Sequence, residues 1–312
     1  MHQNLVGRLN PNDANFNLDD FHPGRWHGPP RGPWFTAASG TKVHLLDPQH
    51  DELLMADMAH GLAAIPRFGG HVGVTLRGAI LCRPTILYTV AQHSVLVLWL
   101  TFRLHEQAAL QRHCFGADAV TPNPHTEDAW GDPKNLALLE HAVLHDSPEA
   151  WLGDKISPLK QLFPFFKVIE NNLFACIADK RRLPPLSDAD RATIKAADRI
   201  ALSIERALYC PNPPARDDIV NEENVELPGF AHNFIQDARR ARFYGRDGVW
   251  PFDLARIRFL DTVHQIAGRR WSLEAADDPD DELPGRLELP GVPDFDQSMS
   301  EYMDDIREML LS

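Results

Sequence analysis

Cysteine is scarce in this chain. The four among 312 residues, Cys82, Cys114, Cys176 and Cys210, lie far apart and form no C-x-x-C pair. That excludes a zinc ribbon and a disulfide scaffold and makes a reducing cytoplasm the simplest home. Long apolar runs are missing as well. The greasiest stretch, VLVLWLTF at residues 95–102, is closed by Arg103. It falls well short of the roughly 18 apolar residues of a membrane span, so it reads as a buried helix face. The opening residues MHQNLVGRLN carry no apolar signal core, and no membrane partner is expected. Positive charge is the third shortage: Lys and Arg number 31 against 44 Asp and Glu, for a net charge of -13 and a pI near 5.5. A protein that grips phosphate backbones needs the opposite balance, so DNA binding is disfavoured. The deficit is uneven, since residues 275–312 hold twelve Asp or Glu and two Arg, a net of -10. The rest of the chain is nearly neutral and compatible with a small basic pocket for an anion.

What is present is a globular composition, 44% hydrophobic and 24% charged, enough for one large or two modest cores. Residues 1–41, with FHPGRWHGPPRGPWF, read as an irregular Pro/Gly-rich arm in which Trp26 and Trp34 could anchor it to the body or to a neighbouring subunit. Residues 42–210 form the main domain. There KVHLL reads as a strand, and Leu54, Met58, Leu62 and Ile65 make one helical face over residues 51–65. Alternation around Arg77-Gly78 suggests a hairpin between residues 69 and 90. Helices are expected over 91–113, 135–152, 159–182 with an interruption near Pro164, and 187–209 with Ser187 as N-cap and Asp190 three residues on. Residues 114–134 are breaker-rich and read as a loop. Residues 211–274 form a helical C-terminal extension, with helices near 229–243 and 251–268. The acidic tail, 275–312, closes on SMSEYMDDIREMLL, a candidate amphipathic helix. A homo-oligomer would use the arm or the extension.

The stretch HAVLHDSPEAWLGD, residues 141–154, packs two histidines and three carboxylates among Ala, Val, Leu and Trp. Capping and dipole complement alone can explain an isolated His145-Asp146 pair. Adjacent helical residues differ by about 100 degrees around the axis, so both reach one ion only from the inward sector, and further ligands must come from other helices. His93 in YTVAQHSVLV and Asp198 in IKAADRIALSIER each sit near an expected helix start amid apolar residues. Taken singly, each has a plainer reading as a satisfied buried His or a first-turn Asp.

Taken together, YTVAQHSVLV, LHDSPEAWLGDKISPLK and KAADRIALSIERAL, in this order, resemble the HD-domain phosphohydrolases over roughly residues 43–209. The nearer likeness is to the branch with the 5'-deoxynucleotidases and phage-type nucleotide phosphohydrolases, and DMAHGLAAIPRFGGH resembles the stretch before that branch's first histidine. The resemblance implies a mostly α fold: an HD-domain helical bundle, here with a small β-hairpin insert and irregular N- and C-terminal extensions. It implies that His93, His145, Asp146 and Asp198 hold a divalent metal. The mixed N/O set suits Mn, Co, Fe, Zn or Ni, with Mg also open. It gives Glu149 a general acid/base role, Asp154 a role in positioning water or the sugar end, and Arg67 and Phe68 of PRFGG the part of a phosphate clamp and a ring beside base or sugar. The 26 residues from Arg67 to His93 exceed the connection in close relatives of that branch, so Arg77 or Arg83 on the insert could substitute for Arg67.

The activity so implied is metal-dependent hydrolysis of a phosphate ester of a (deoxy)nucleotide, foremost a 5'-(deoxy)nucleoside monophosphate, by metal-activated water. A dNTP hydrolase releasing triphosphate would use the same metal site. A non-catalytic nucleotide- or metal-binding sensor or assembly partner is an alternative of another class, against which Glu149 and Asp154 argue. A nuclease is disfavoured by the missing basic groove. His141, one turn before His145, mimics an i, i+4 metal pair but reads as packing or support. His60 and His71 are candidates to face substrate, and Lys160 could help with phosphate, although an exposed lysine is its plainer reading. Ser147, followed by Pro148 and without flanking elbow glycines, does not read as a nucleophile.

Overall fold

Apolar residues at three- and four-residue spacing become helices here, and the described residues are mostly helical. The computed structural model describes residues 31–71, 73–74, 86–115, 132–155, 160, 162–163, 165–209, 227–243 and 248–277. Trp26, Arg77, Arg83, most of the loop 114–134 and the tail beyond 277 lie outside them. The helices are α1 (Met55–Ala64), α2 (Val90–Phe115), α3 (Pro133–Leu144), α4 (Glu149–Leu152), α5 (Phe165–Lys180), α6 (Asp188–Tyr209), α7 (Gly229–Phe243) and α8 (Phe252–Asp277). Among the described residues two short antiparallel pairs accompany them, β1 (Trp34–Thr36) with β2 (Lys42–His44) and β3 (Gly73–Val74) with β4 (Ile86–Leu87).

Helix α2 is the central element. Residues 95–100 are buried without a break, as is Phe102, which is how a helix enclosed on all sides must read. Around it pack α6, α3, α8 and α1. Helix α6 meets it with Ile194, Ala197, Ile200, Ala201, Ile204 and Leu208, and each buried Ile or Leu is worth about 1.5–3 kcal/mol relative to exposure. At its start, the Ser187 hydroxyl accepts from the Asp190 amide while Asp190 accepts from Ser187. This reciprocal capping box satisfies groups the first helical turn would otherwise leave open.

Three elements depart from the sequence expectations, each for a physical reason. Residues 34–36 belong to a strand, not to an irregular arm: Phe35 pairs with Val43, and Val43 is fully buried. Trp34 in that strand is exposed with Lys42 Nζ 4.4 Å over its ring, so it does not plug the core. The helix expected over 135–152 is broken. Pro148 has no amide to donate to Leu144, whose carbonyl is taken instead by the Ser147 amide at 2.9 Å. Helix α8 runs past Gly268 to Asp277, because beyond that glycine Arg270 is wholly buried and holds Glu140 of α3.

The extension is part of the bundle rather than an appendage. Glu140, fully buried, pairs with Arg181 at the end of α5 and with Arg270 of α8, and Arg270 also donates to the Arg181 carbonyl at 2.7 Å. The Gln92 side chain donates to the Gly248 carbonyl at 2.6 Å and accepts from the Trp250 amide at 3.0 Å, tying the approach to α8 to the start of α2.

Candidate metal centre

Three helical elements and one turn converge beside His93. His93 lies in the first turn of α2, entirely buried. Its Nδ1 is 2.5 Å from Glu205 Oε1, and its Nε2 is buried with no hydrogen-bond partner. His145 closes α3 and is arranged in the same way. Its Nδ1 donates to the Ala142 carbonyl at 2.8 Å, and its Nε2 is likewise buried and unpartnered. A ring whose Nδ1 carries the proton keeps the Nε2 lone pair free.

Both free nitrogens face Asp146. Asp146 Oδ2 lies 3.4 Å from His93 Nε2 and 3.2 Å from His145 Nε2, and donor atoms of the three residues fall within 4.8 Å of one another. Two ligands each about 2.1 Å from one ion sit about 3.0–3.4 Å apart at octahedral or tetrahedral angles, so the spacing fits a shared cation. Asp198 stands at the margin: Oδ1 is 3.5 Å from His93 Nε2, while Oδ2 accepts from Lys195 at 2.8 Å. Burial by itself would raise both carboxyls, but the imidazoles win. Attraction to His145 holds Asp146 well below the usual carboxylate range, and the nearness of the His93 ring does the same for Asp198.

The break after α3 sets the position of Glu149. The amides of Ser147, Glu149, Ala150 and Trp151 each bond three residues back, to Leu144, Asp146, Ser147 and Pro148. Such tight winding has about three residues per turn and eclipses residues three apart, so Glu149 stands over Asp146. Glu149 is buried, with Oε1 2.9 Å from Lys160 Nζ and Oε2 unpartnered. Burial, then the Asp146 and Asp154 carboxylates, push its carboxyl up to about 8 against the pull of Lys160 and Arg67. Lys160 is thus not a free surface lysine, since Glu149 and Glu170 each hold it at 2.9 Å. Gly153, at φ 78°, ends the turn and sets Asp154 on the same side, 3.8 Å from Arg67.

Arg67 reaches the centre despite its 26-residue separation from His93. Its amide donates to the Tyr88 carbonyl at 2.9 Å, and Pro66 bridges to Thr89. The inserted residues therefore leave and return at neighbouring points. The guanidinium is mostly buried, 3.7 Å from Asp146, 3.8 Å from Asp154 and 3.6 Å from Glu205. Burial opposes its charge, but these carboxylates keep it protonated. Phe68 takes a left-handed backbone, φ 53°, which a bulky residue holds only at a cost of about 1–3 kcal/mol. Its ring lies 5.7 Å from the Arg67 guanidinium.

The remaining candidates separate cleanly. His141 Nε2 donates to the Pro184 carbonyl at 2.9 Å and its ring packs on Phe174, a packing role. His60 sits edge-on to Phe252 at an exposed position, and His71 is exposed. Ser147 is buried in the turn. Glu205 is the residue that the sequence pattern did not single out. It lies two helical turns after Asp198, hence on the same face of α6, and that i, i+7 spacing was the available signal.

No family model matches the chain. It is similar to an uncharacterized protein of Rhodobacter capsulatus, 30% identical over 174 residues, which make up 55% of this chain and 70% of that protein. The chain belongs to that protein's family. It is also similar to the uncharacterized Escherichia coli protein YfdR, 29% identical over 156 residues, 50% of this chain. The chain spans 61% of YfdR, less than two thirds of its length. Among the described residues no helix is long and apolar enough to cross a membrane.

Proposed function

We propose that this protein is a metal-dependent phosphohydrolase acting on a 5'-(deoxy)nucleoside monophosphate. One observation carries the reading: two imidazoles, each with Nδ1 engaged and a buried, unpartnered Nε2, converge on Asp146 beneath Glu149 and beside Arg67. His93, His145 and Asp146 would hold the ion, with Asp198 completing the set by a small rotation away from Lys195. A divalent cation there supplies a lowered pKa for water and polarisation of a phosphoryl oxygen.

The chain's own groups supply the rest. Arg67, charged and short of hydrogen bonds, can offer its guanidinium to two phosphate oxygens. Glu149, its carboxyl pushed up to about 8, can exchange a proton near neutrality, as a general acid or base requires. Asp154 faces Arg67 and holds the guanidinium in register. The nearly neutral body and dispersed cysteines support a small anionic substrate in the cytoplasm rather than a nucleic-acid backbone.

The test is phosphate release from a panel of nucleoside mono- and triphosphates with Mn, Co, Ni, Zn or Mg added. Wild type is expected to release inorganic phosphate from monophosphates, and Glu149→Ala to lose about 10²–10⁴-fold in kcat while still binding metal. Release of triphosphate from dNTPs would favour the triphosphohydrolase reading. Binding without turnover by any metal would favour a sensor.

A further inference from the structure

Glu205 has no place in the expected ligand set, yet it is wholly buried against the metal centre. A carboxylate withdrawn from water is retained only if something compensates its lost hydration. Here Oε1 is 2.5 Å from His93 Nδ1, whereas Oε2 has no hydrogen-bond partner and stands 3.6 Å from Arg67 Nη2. An ionised carboxylate only accepts, so a neutral His93 must place its proton on Nδ1 and its lone pair on Nε2. That nitrogen is the one 3.4 Å from Asp146 and 3.5 Å from Asp198. The other imidazole uses a backbone carbonyl for the same purpose, with Ala142 holding His145. A carbonyl orients a ring, whereas a carboxylate also makes it a stronger donor to a cation.

We propose that Glu205 is a positioning residue: it fixes the tautomer and orientation of His93 and strengthens Nε2 as a ligand for a divalent cation shared with His145 and Asp146. This rests on the metal reading above. The spacing on α6 supports it, since Asp198 and Glu205 share one helical face and one helix thus provides both a candidate ligand and the support of another.

The test uses the full chain stripped of metal and titrated with Co(II), reading the visible ligand-field bands, with affinity taken from competition against a chromophoric chelator. Circular dichroism and Tm are recorded alongside. Glu205→Ala is expected to weaken Co(II) about 10–100-fold and to shift the bands, because His93 is freed to rotate. Glu205→Gln keeps an acceptor at the same place. It should retain the wild-type bands and lose only about threefold to tenfold, a neutral acceptor being roughly half as strong as a charged one. If Glu205→Ala does not fold, the Gln variant decides, and unchanged affinity there overturns the proposal. Wild-type affinity and bands in Glu205→Ala, or a lowered Tm with both unchanged, would overturn the positioning role and leave the metal reading standing. A wild-type chain that binds neither Co(II) nor Mn(II) would overturn both.

Discussion

His141 and His145 are one helical turn apart on α3 and do opposite things, because their partners differ. His145 gives its Nδ1 proton to a backbone carbonyl and leaves Nε2 free, while His141 spends Nε2 on the Pro184 carbonyl and buries its ring against Phe174. Burial pushes the His141 imidazolium below the ordinary histidine range, which makes the neutral ring the folded form. The unfolded chain therefore takes up a proton as pH falls through about 6.5 while the folded chain resists it, so stability present above that pH is lost progressively below it. His141→Gln should reduce the fall in Tm between pH 7 and pH 5, measured as the difference from wild type. An unchanged slope would remove His141 from the acid sensitivity.

At the scale of elements, the position of Glu149 depends on how closely α1 approaches α4. Gly61 of α1 faces the backbone of Ala150, and a Cβ there would overlap the Ala150 carbonyl oxygen. Backbone cannot swing aside as a side chain can. Gly61→Ala should cost about 1–3 kcal/mol and, on the proposed function, lower kcat more than metal affinity because α4 begins at Glu149. Gly268 of α8 is the matching control. A Cβ there meets nothing within 4 Å, so Gly268→Ala should raise stability by about 0.5–1 kcal/mol. Denaturant melts of the two variants separate close approach from helix propensity, and equal shifts of one sign would refute the distinction.

For the molecule as a whole, the C-terminal extension closes the bundle over the helix that carries His145. Arg270 is fully buried and shares Glu140 with Arg181. Breaking one partner of such a group costs about 3–5 kcal/mol, since the other charge stays in the interior. Arg270→Ala should therefore lower the denaturant midpoint sharply, and a change below about 1 kcal/mol would mean that water reaches Glu140. Chains ending before α8 are expected not to fold, for the same reason and because α8 also covers α1 and α2.

The sequence by itself determined the helices that carry a one-sided or fully apolar pattern, including α7 at its observed ends and α6 with its capping box. These depend on residues close together in the chain. Through the family resemblance it also pointed to His93, His145, Asp146, Glu149, Asp154 and Arg67, which the fold brings to one place. Tertiary structure alone decided the rest. The overwound turn at 145–151, the return of the insert that sets Arg67 beside Tyr88, the pairing of residues 34–36 and the assignment of Glu205 to His93 all depend on groups far apart in the chain. Their energies come from packing and desolvation, which no local spacing contains.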